Sequence, residues 1–490
     1  MDAHATGTHS RTVMKDLKRM YIGGTLVEGE GTVEVISPAT EERVATVAAA
    51  GMGDVEAALQ AARAAAPGWA ATPVAERQRW MLKLRDAVVA NEEMLRDCIH
   101  REMGKPWGGT REDFDLLERS LKFYAEEIQR VHDETLRDLD GTHEHRIVYE
   151  PVGVVVAYLA WNFPLLNLAY KIAPAMAAGC PIIIRPSAAT PVSAYAVGEL
   201  CHEIGLPAGV VNILTTDGYA PSDALAASTI PNLITLIGST NTGKHLMKVG
   251  ATSIKKYSME LGGNAPVLVF DDADLDLAAD IVTTVKFNNA GQICVTPNRV
   301  FVERGVYDRF RDKVVARARA AKVGFDRDAD ILTGPMIDGR AWARVKGLID
   351  DAVEKGASLL AGGDRPEGLE RGHFLAPTVL GEVTRDMRIY QDEIFGPVVS
   401  LIPFDDRGTL LDLANEGEEG GLASYVFTAN LALAEEMARG LRYGEVQVNG
   451  VKYDIYLPHG GIGQSGIGHD CSRLALNDYL VVKRISRGLN

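Results

Sequence analysis

Apolar positions recur at helical spacing from residue 49 to about 131, as in Val55-Ala58-Leu59-Ala62 and Trp80-Leu84-Val88, which predicts a helical stretch. Further on the period shortens. Residues 152–160 read as a buried strand, 165–178 as a helix and 181–185 as a strand. A helix over 191–204, a strand over 210–214, a helix near 221–227 and a strand over 233–237 continue the alternation. Such alternation predicts a parallel sheet covered on both faces, with ligands bound at the carboxyl ends of its strands. A second run begins at Pro266-Val267-Leu268-Val269-Phe270 and extends to about residue 444. In it Asp271-Asp272-Ala273-Asp274 reads as a helix-opening turn and 306–323 as strongly helical, so a second α/β domain is expected. The segments His145-Arg146-Ile147-Val148-Tyr149 and Tyr479-Leu480-Val481-Val482-Lys483-Arg484-Ile485 read as strands with no local partner, which predicts an arm that pairs across subunits.

Composition narrows the class. A chain of 490 residues, 46% hydrophobic and 24% charged, has the make-up of an ordinary globular protein of two or three domains. The formal net charge of −15 argues against a generic nucleic-acid or anionic-membrane binder, since both depend on a positive field. Five widely spaced cysteines, without a C-x-x-C pair, point to reduced thiols and a cytoplasmic location. The longest apolar stretch, 152–160, is half of what a membrane helix needs.

Two motifs carry candidate chemistry. Cys294 sits in Phe287-Asn288-Asn289-Ala290-Gly291-Gln292-Ile293-Cys294-Val295-Thr296, and Met259-Glu260-Leu261-Gly262-Gly263 lies upstream of it. A thiolate can attack a carbonyl carbon, and a nearby carboxylate can later draw a proton from water to release the product. Directly after the strand ending at Ile237, Gly238-Ser239-Thr240-Asn241-Thr242-Gly243-Lys244-His245 could hold a phosphate on backbone amides or be a plain tight turn. It is not a nucleotide-triphosphatase loop, because His245 stands where a magnesium-binding Ser or Thr is needed. Asn162, in Trp161-Asn162-Phe163-Pro164, could donate to a developing oxyanion or merely cap the following helix.

The ordered set of these motifs, with Glu393-Ile394-Phe395-Gly396-Pro397, Pro458-His459-Gly460-Gly461 and Ser465-Gly466-Ile467-Gly468, resembles the NAD(P)-dependent aldehyde dehydrogenase superfamily from about Met20 to Ile485. Cys294 follows Glu260 by 34 positions, as in the hydrolytic members. The resemblance implies an α/β fold with a Rossmann-like cofactor domain (16–130 and 151–260), a second α/β catalytic domain (261–445) and a small β oligomerisation arm (131–150 and 475–490). Residues 446–474 would return to the cofactor domain and supply a substrate-pocket loop, and 1–15 would be a flexible N-terminus. It implies Cys294 as nucleophile, Asn162 and the Cys294 N–H as oxyanion donors, Glu260 as base for water, and Lys171 near the catalytic centre. The cofactor would be held by Trp161, Arg185, Ser187, Ala188, Gly238, Ser239, Gly243, Leu261, Glu393 and Phe395. No metal is called for, and the expected assembly is a homodimer or homotetramer.

Departures refine the expectation. Arg185-Pro186-Ser187-Ala188 stands where the family usually has Lys-Pro-Ser/Ala-Glu, so the acidic residue that would repel a 2′-phosphate is absent and NADP as well as NAD should be accepted. Tyr170 replaces a usual Trp, His459 a usual aromatic residue, and Gly463 and His469-Asp470 replace a late Lys and Arg-Glu. With Phe163, Lys452 and Tyr453, Tyr170 and His459 are expected to line a pocket for a small, polar aldehyde carrying a carboxylate or phosphonate. The nearest rivals are an acylating, coenzyme A-dependent enzyme, which would have little use for Glu260, and a relative that keeps the fold without turnover.

Overall fold

The computed structural model describes residues 17–327, 330–417 and 420–489; the expected flexible N-terminus, 1–15, lies outside them. The helical stretch resolves into four helices, Met52–Ala71, Val74–Ala90, Glu92–Met103 and Thr110–Glu127. Their apolar stripes, among them Ala58, Leu84, Ile99 and Leu117, are fully buried against the first sheet's core.

That sheet has eight strands. Its five central strands, in spatial order Lys256–Glu260, Leu233–Ile237, Val155–Tyr158, Ile182–Arg185 and Val211–Ile213, are all parallel. Ile182, Ile183 and Ile184 have no exposure at all, as a strand covered on both faces requires. From Val155–Tyr158 the chain first adds strands on one side and then crosses to Leu233–Ile237 on the other, which opens a crevice at the carboxyl ends between these two strands. The short apolar runs Met20–Ile22 and Thr25–Val27 extend the sheet's far edge, Met20–Ile22 pairing antiparallel with Val211–Ile213. The pattern read from the sequence begins at residue 49 and gave no strand for them.

The second run forms a seven-stranded sheet that is parallel except for its edge strand Ser358–Ala361. Its core strands Pro266–Val269, Arg299–Glu303, Val398–Phe404 and Gly421–Phe427 pack on Leu275–Phe287 and Tyr307–Ala320, and Tyr443–Val448 closes one edge. Asp274 caps Leu275–Phe287 by accepting from the N–H groups of Asp276 and Leu277, as the acidic turn predicts.

The two segments expected to lack a local partner are partners of each other. His143–Pro151 and Leu480–Gly488 pair antiparallel along their whole lengths, and Glu134–Arg137 adds a third strand. Sequence alone missed this because 329 positions separate the two outermost partners, Leu480 and Pro151. Leu480–Gly488 remains an edge of this small sheet among the described residues, with Val482 and Ile485 exposed along it.

Candidate active site

A cavity of about 670 Å³ lies where the carboxyl ends of the first sheet meet the second sheet. It brings together Cys294, Glu260, Asn162, Trp161, Phe163, Tyr170, Gly238, Ser239, Leu261, Glu393, Phe395, Lys452, Tyr453 and His459. Lys171, Arg185, Ser187, Ala188 and Gly243 are not in its wall. Arg185 ends the strand next to Val155–Tyr158, and Ser187 and Ala188 follow it along the same carboxyl edge. Gly243 is buried inside the helix Thr240–Gly250, where a Cβ would come within 3.0 Å of the Leu261 side chain; its smallness lets the helix pack.

Cys294 is carried by a tightly constrained turn. Asn289, Ala290 and Gly291 all have positive φ, and a Cβ on Gly291 would stand 2.2 Å from the Gly396 carbonyl oxygen. Two non-glycine residues in this region are strained and persist only when surroundings overdetermine them. Gln292 supplies that restraint: its amide donates to the carbonyls of Asn289 (3.0 Å) and Pro335 (3.2 Å) and accepts from Ile337 N–H (2.9 Å). Burial pushes the Cys294 thiol up, opposed by the charge of the nearby His459.

Asn162 is not a cap. The N-cap of Pro164–Ala178 is Phe163, and the Asn162 Nδ2 donates instead to the Gln292 carbonyl at 3.0 Å. Asn167 donates to Asn162 Oδ1 at 3.3 Å, which fixes the amide so that its N–H₂ faces the Cys294 turn.

Glu260 ends its strand with the carboxyl buried. Oε2 accepts from Gly461 N–H at 3.3 Å and Oε1 has no partner among the described residues. Burial first, with Asp470 adding to it, drives this carboxyl well above the usual range, while His459 and Lys171 pull the other way. Lys171 donates to both Asp470 oxygens, at 2.6 and 2.8 Å, with both side chains buried. The substitution of Asp at 470, without a mechanism in the sequence, thus keeps a carboxylate on the buried lysine.

His459 is more than a pocket wall. Its Nδ1–H donates to Glu445 Oε1 at 2.6 Å, and the ring shares the cavity wall with Cys294. Sequence reading missed Glu445; the signal was a carboxylate inside the strand Tyr443–Val448, next to the loop to the glycine-rich turn. It also missed how Lys452 is engaged. That side chain is 66% exposed and pairs with Asp454 at 3.4 Å, and Arg119 binds the other oxygen of the same carboxylate. Lys452 is therefore not a free cation projecting into the pocket.

The residues fit a dinucleotide. Gly238 and Ser239 line the cavity at the start of Thr240–Gly250, whose N-terminal amides suit a phosphate. Trp161 and Phe395 meet edge to face with centroids 5.5 Å apart, and Gly262 leaves room for the Glu393 carboxylate, which a Cβ would meet at 2.3 Å. Arg185 donates to Thr216 Oγ1 at 3.4 Å while its buried Nε has no partner among the described residues, leaving an N–H suited to an anion.

Comparison with known proteins agrees with this geometry. The family model of the aldehyde dehydrogenase family matches residues 26–485. The chain is 37% identical over 474 residues to 3-sulfolactaldehyde dehydrogenase of Pseudomonas putida, covering 96% of this chain and 97% of the relative. It is 35% identical to a succinate-semialdehyde dehydrogenase [NADP(+)] of Escherichia coli K12, covering 93% and 94%. The crystal structure of succinate-semialdehyde dehydrogenase from Burkholderia pseudomallei superposes with a TM-score of 0.95 at 37% identity, covering 99% of this chain and all of that one (100%). The chain belongs to the aldehyde dehydrogenase family, and it is an NAD(P)-dependent aldehyde dehydrogenase. Among the described residues no helix is long and apolar enough to cross a membrane.

Proposed function

We propose that the protein oxidises a small, polar aldehyde bearing an anionic group to its carboxylic acid, through a thiohemiacetal and a thioester on Cys294 with water as the final acyl acceptor. The observation that carries this reading is the convergence of Cys294, Asn162 and Glu260 on one cavity wall.

Cys294 Sγ attacks the aldehyde carbon. The oxyanion that develops is met by the Asn162 N–H₂, preset by Asn167, and by the Cys294 backbone N–H; a single such donor is worth ~2.7–4 kcal/mol of barrier. Bound NAD(P), held by Gly238, Ser239, Glu393 and Phe395 with Arg185 toward a 2′-phosphate, supplies the hydride acceptor. Glu260 then takes a proton from water through its unpartnered Oε1, and the resulting hydroxide releases the acid. A carboxyl whose proton affinity is raised by burial is a stronger base once ionised, which suits it to water.

The anionic group is supported by a net positive charge beside the cavity: Lys452 and Asp454 line it, and the Asp454 carboxylate that pairs with Lys452 is also bound by Arg119. It is also supported by the sulfonate and carboxylate named in the relatives' substrates. A substrate anion reaching this cluster gains charge-assisted hydrogen bonds of ~1.5–3 kcal/mol each. The test is cofactor reduction with succinate semialdehyde and with hexanal, each with and without coenzyme A. The expected result is at least a tenfold higher kcat/KM for the semialdehyde, lowered by Arg119→Ala, and no dependence on coenzyme A. Preference for hexanal would overturn the anionic assignment, and a coenzyme A requirement would overturn hydrolysis.

A further inference from the structure

We propose that the cavity selects an aldehyde with a hydroxyl on the neighbouring carbon, a 2-hydroxyaldehyde, and that Tyr453 reads this hydroxyl by accepting its hydrogen. This rests on the reading of Cys294 as the residue that the aldehyde meets in the cavity.

One chain of hydrogen bonds has its direction set by its far end. The hydroxyl of Tyr425, fully buried in the strand Gly421–Phe427, lies 2.6 Å from the carbonyl oxygen of Val295, one residue past the nucleophile. A carbonyl oxygen only accepts, so the single phenolic proton of Tyr425 is spent there. The Tyr425 and Tyr453 oxygens are 3.2 Å apart, and with the first proton committed Tyr453 is the donor between them. Tyr453 shares the cavity wall with Cys294 and has no other hydrogen-bond partner among the described residues. It therefore offers a ligand a lone pair and no proton.

The polar groups beside it supply no competing donor. Tyr425 stands opposite Gln447 and Ala423 opposite Glu445, so Tyr425, Glu445 and Gln447 share one face of the second sheet. Glu445 gives Oε1 to His459, and its Oε2 has no partner among the described residues. Gln447 spends its amide on the Lys452 backbone, accepting from the N–H at 3.2 Å and donating to the carbonyl at 3.5 Å. The His459 ring meets the Tyr453 ring edge to face, with centroids 6.2 Å apart.

A substrate atom brought to Tyr453 must carry a hydrogen to share. A hydroxyl does; an ether or a carboxylate ion does not. An ammonium would also donate, but Lys452 and Arg119 beside the cavity oppose a second cation. Because Tyr453 is only one hydrogen bond beyond the phenol that holds Val295, the hydroxyl belongs next to the reacting carbon.

The experiment is kcat/KM of the full-length enzyme with NADP for two pairs that differ only in this hydroxyl: 2-hydroxypropanal against propanal, and 3-hydroxy-4-oxobutanoate against succinate semialdehyde. The hydroxylated member should be favoured by about threefold to tenfold in each pair, the worth of one neutral hydrogen bond. Tyr453→Phe should cut both ratios by that factor, and differences in intrinsic reactivity cancel because each pair is compared in two enzymes. A wild-type ratio below one, or ratios that Tyr453→Phe leaves unchanged, would overturn the proposal. Tyr425→Phe tests the direction of the chain, since it frees the Tyr453 proton to meet an ether: the preference for glycolaldehyde over methoxyacetaldehyde should shrink by about threefold or more. Should Tyr453→Phe fail to fold, an unchanged hydroxyl-to-methoxy ratio in Tyr425→Phe refutes the proposal. Failure of the nucleophile reading looks different, since Cys294→Ala would then still reduce cofactor, and the uncharged propanal pair keeps the result independent of the anionic preference.

Discussion

Lys171 and Asp470 form an ion pair with contacts of 2.6 and 2.8 Å in which neither side chain is more than 1% exposed. The pair ties the helix Pro164–Ala178, which follows Asn162, to the strand segment that clamps His459. Removing one partner leaves the other charge buried and uncompensated, which costs ~3–5 kcal/mol. Lys171→Met and Asp470→Asn should each lower the urea midpoint sharply, and Lys171→Met with Asp470→Leu should lower it less than the two effects combined. Additive losses would show that the pair is not an energetic unit.

Cofactor choice is predicted to turn on Arg185 and Ala188. With no acidic side chain at 188, nothing there repels a 2′-phosphate, and the spare Arg185 N–H favours one. Ala188→Glu should shift the kcat/KM ratio toward NAD, and Arg185→Ala should weaken NADP by about ten- to a hundredfold while changing NAD little, as loss of one charged hydrogen bond of ~1.5–3 kcal/mol requires. A wild-type preference for NAD of a hundredfold would contradict this.

The raised proton affinity of Glu260 sets a pH dependence. Its carboxyl is protonated below its elevated titration point, so the base needed for deacylation is lost as pH falls, whereas acylation does not need it. Steady-state kcat should therefore rise with pH through that titration point, well above the ordinary carboxylate range, while the pre-steady-state burst of reduced cofactor keeps its amplitude. A flat kcat profile in stopped-flow and steady-state assays would move the base elsewhere.

Among the described residues Leu480–Gly488 leaves one strand edge unpaired, with Val482 64% exposed and Ile485 46% exposed. Proteins do not usually leave such an edge open, so a second copy is expected to cover it. Light scattering should give a multiple of the 52.9 kDa chain mass, and Val482→Lys with Ile485→Lys should shift it toward the monomer. A single wild-type species of monomer mass would refute this.

The alternation of apolar runs from 152 to 237 was legible because each strand there is buried on both faces, so burial and sequence carry one signal. Cys294, Glu260 and Asn162 were legible because each lies in a short motif at a strand end or turn. Glu445 was not, since its partner His459 is 14 positions away and only the fold turns the two toward each other. The pairing of Leu480–Gly488 with His143–Pro151 was hidden for the same reason, and so was the link from Lys452 through Asp454 to Arg119. Long-range polar pairs leave no periodicity to read.

The central claim is that Cys294 carries the acyl group and Glu260 releases it. Glu260→Gln, mixed with succinate semialdehyde and NADP, quenched with acid and mapped by mass spectrometry, tests it directly. The account predicts one equivalent of reduced cofactor and a matching succinyl mass on the peptide containing Cys294. Continued turnover in Glu260→Gln, or reduced cofactor with an unmodified Cys294 peptide, would contradict it.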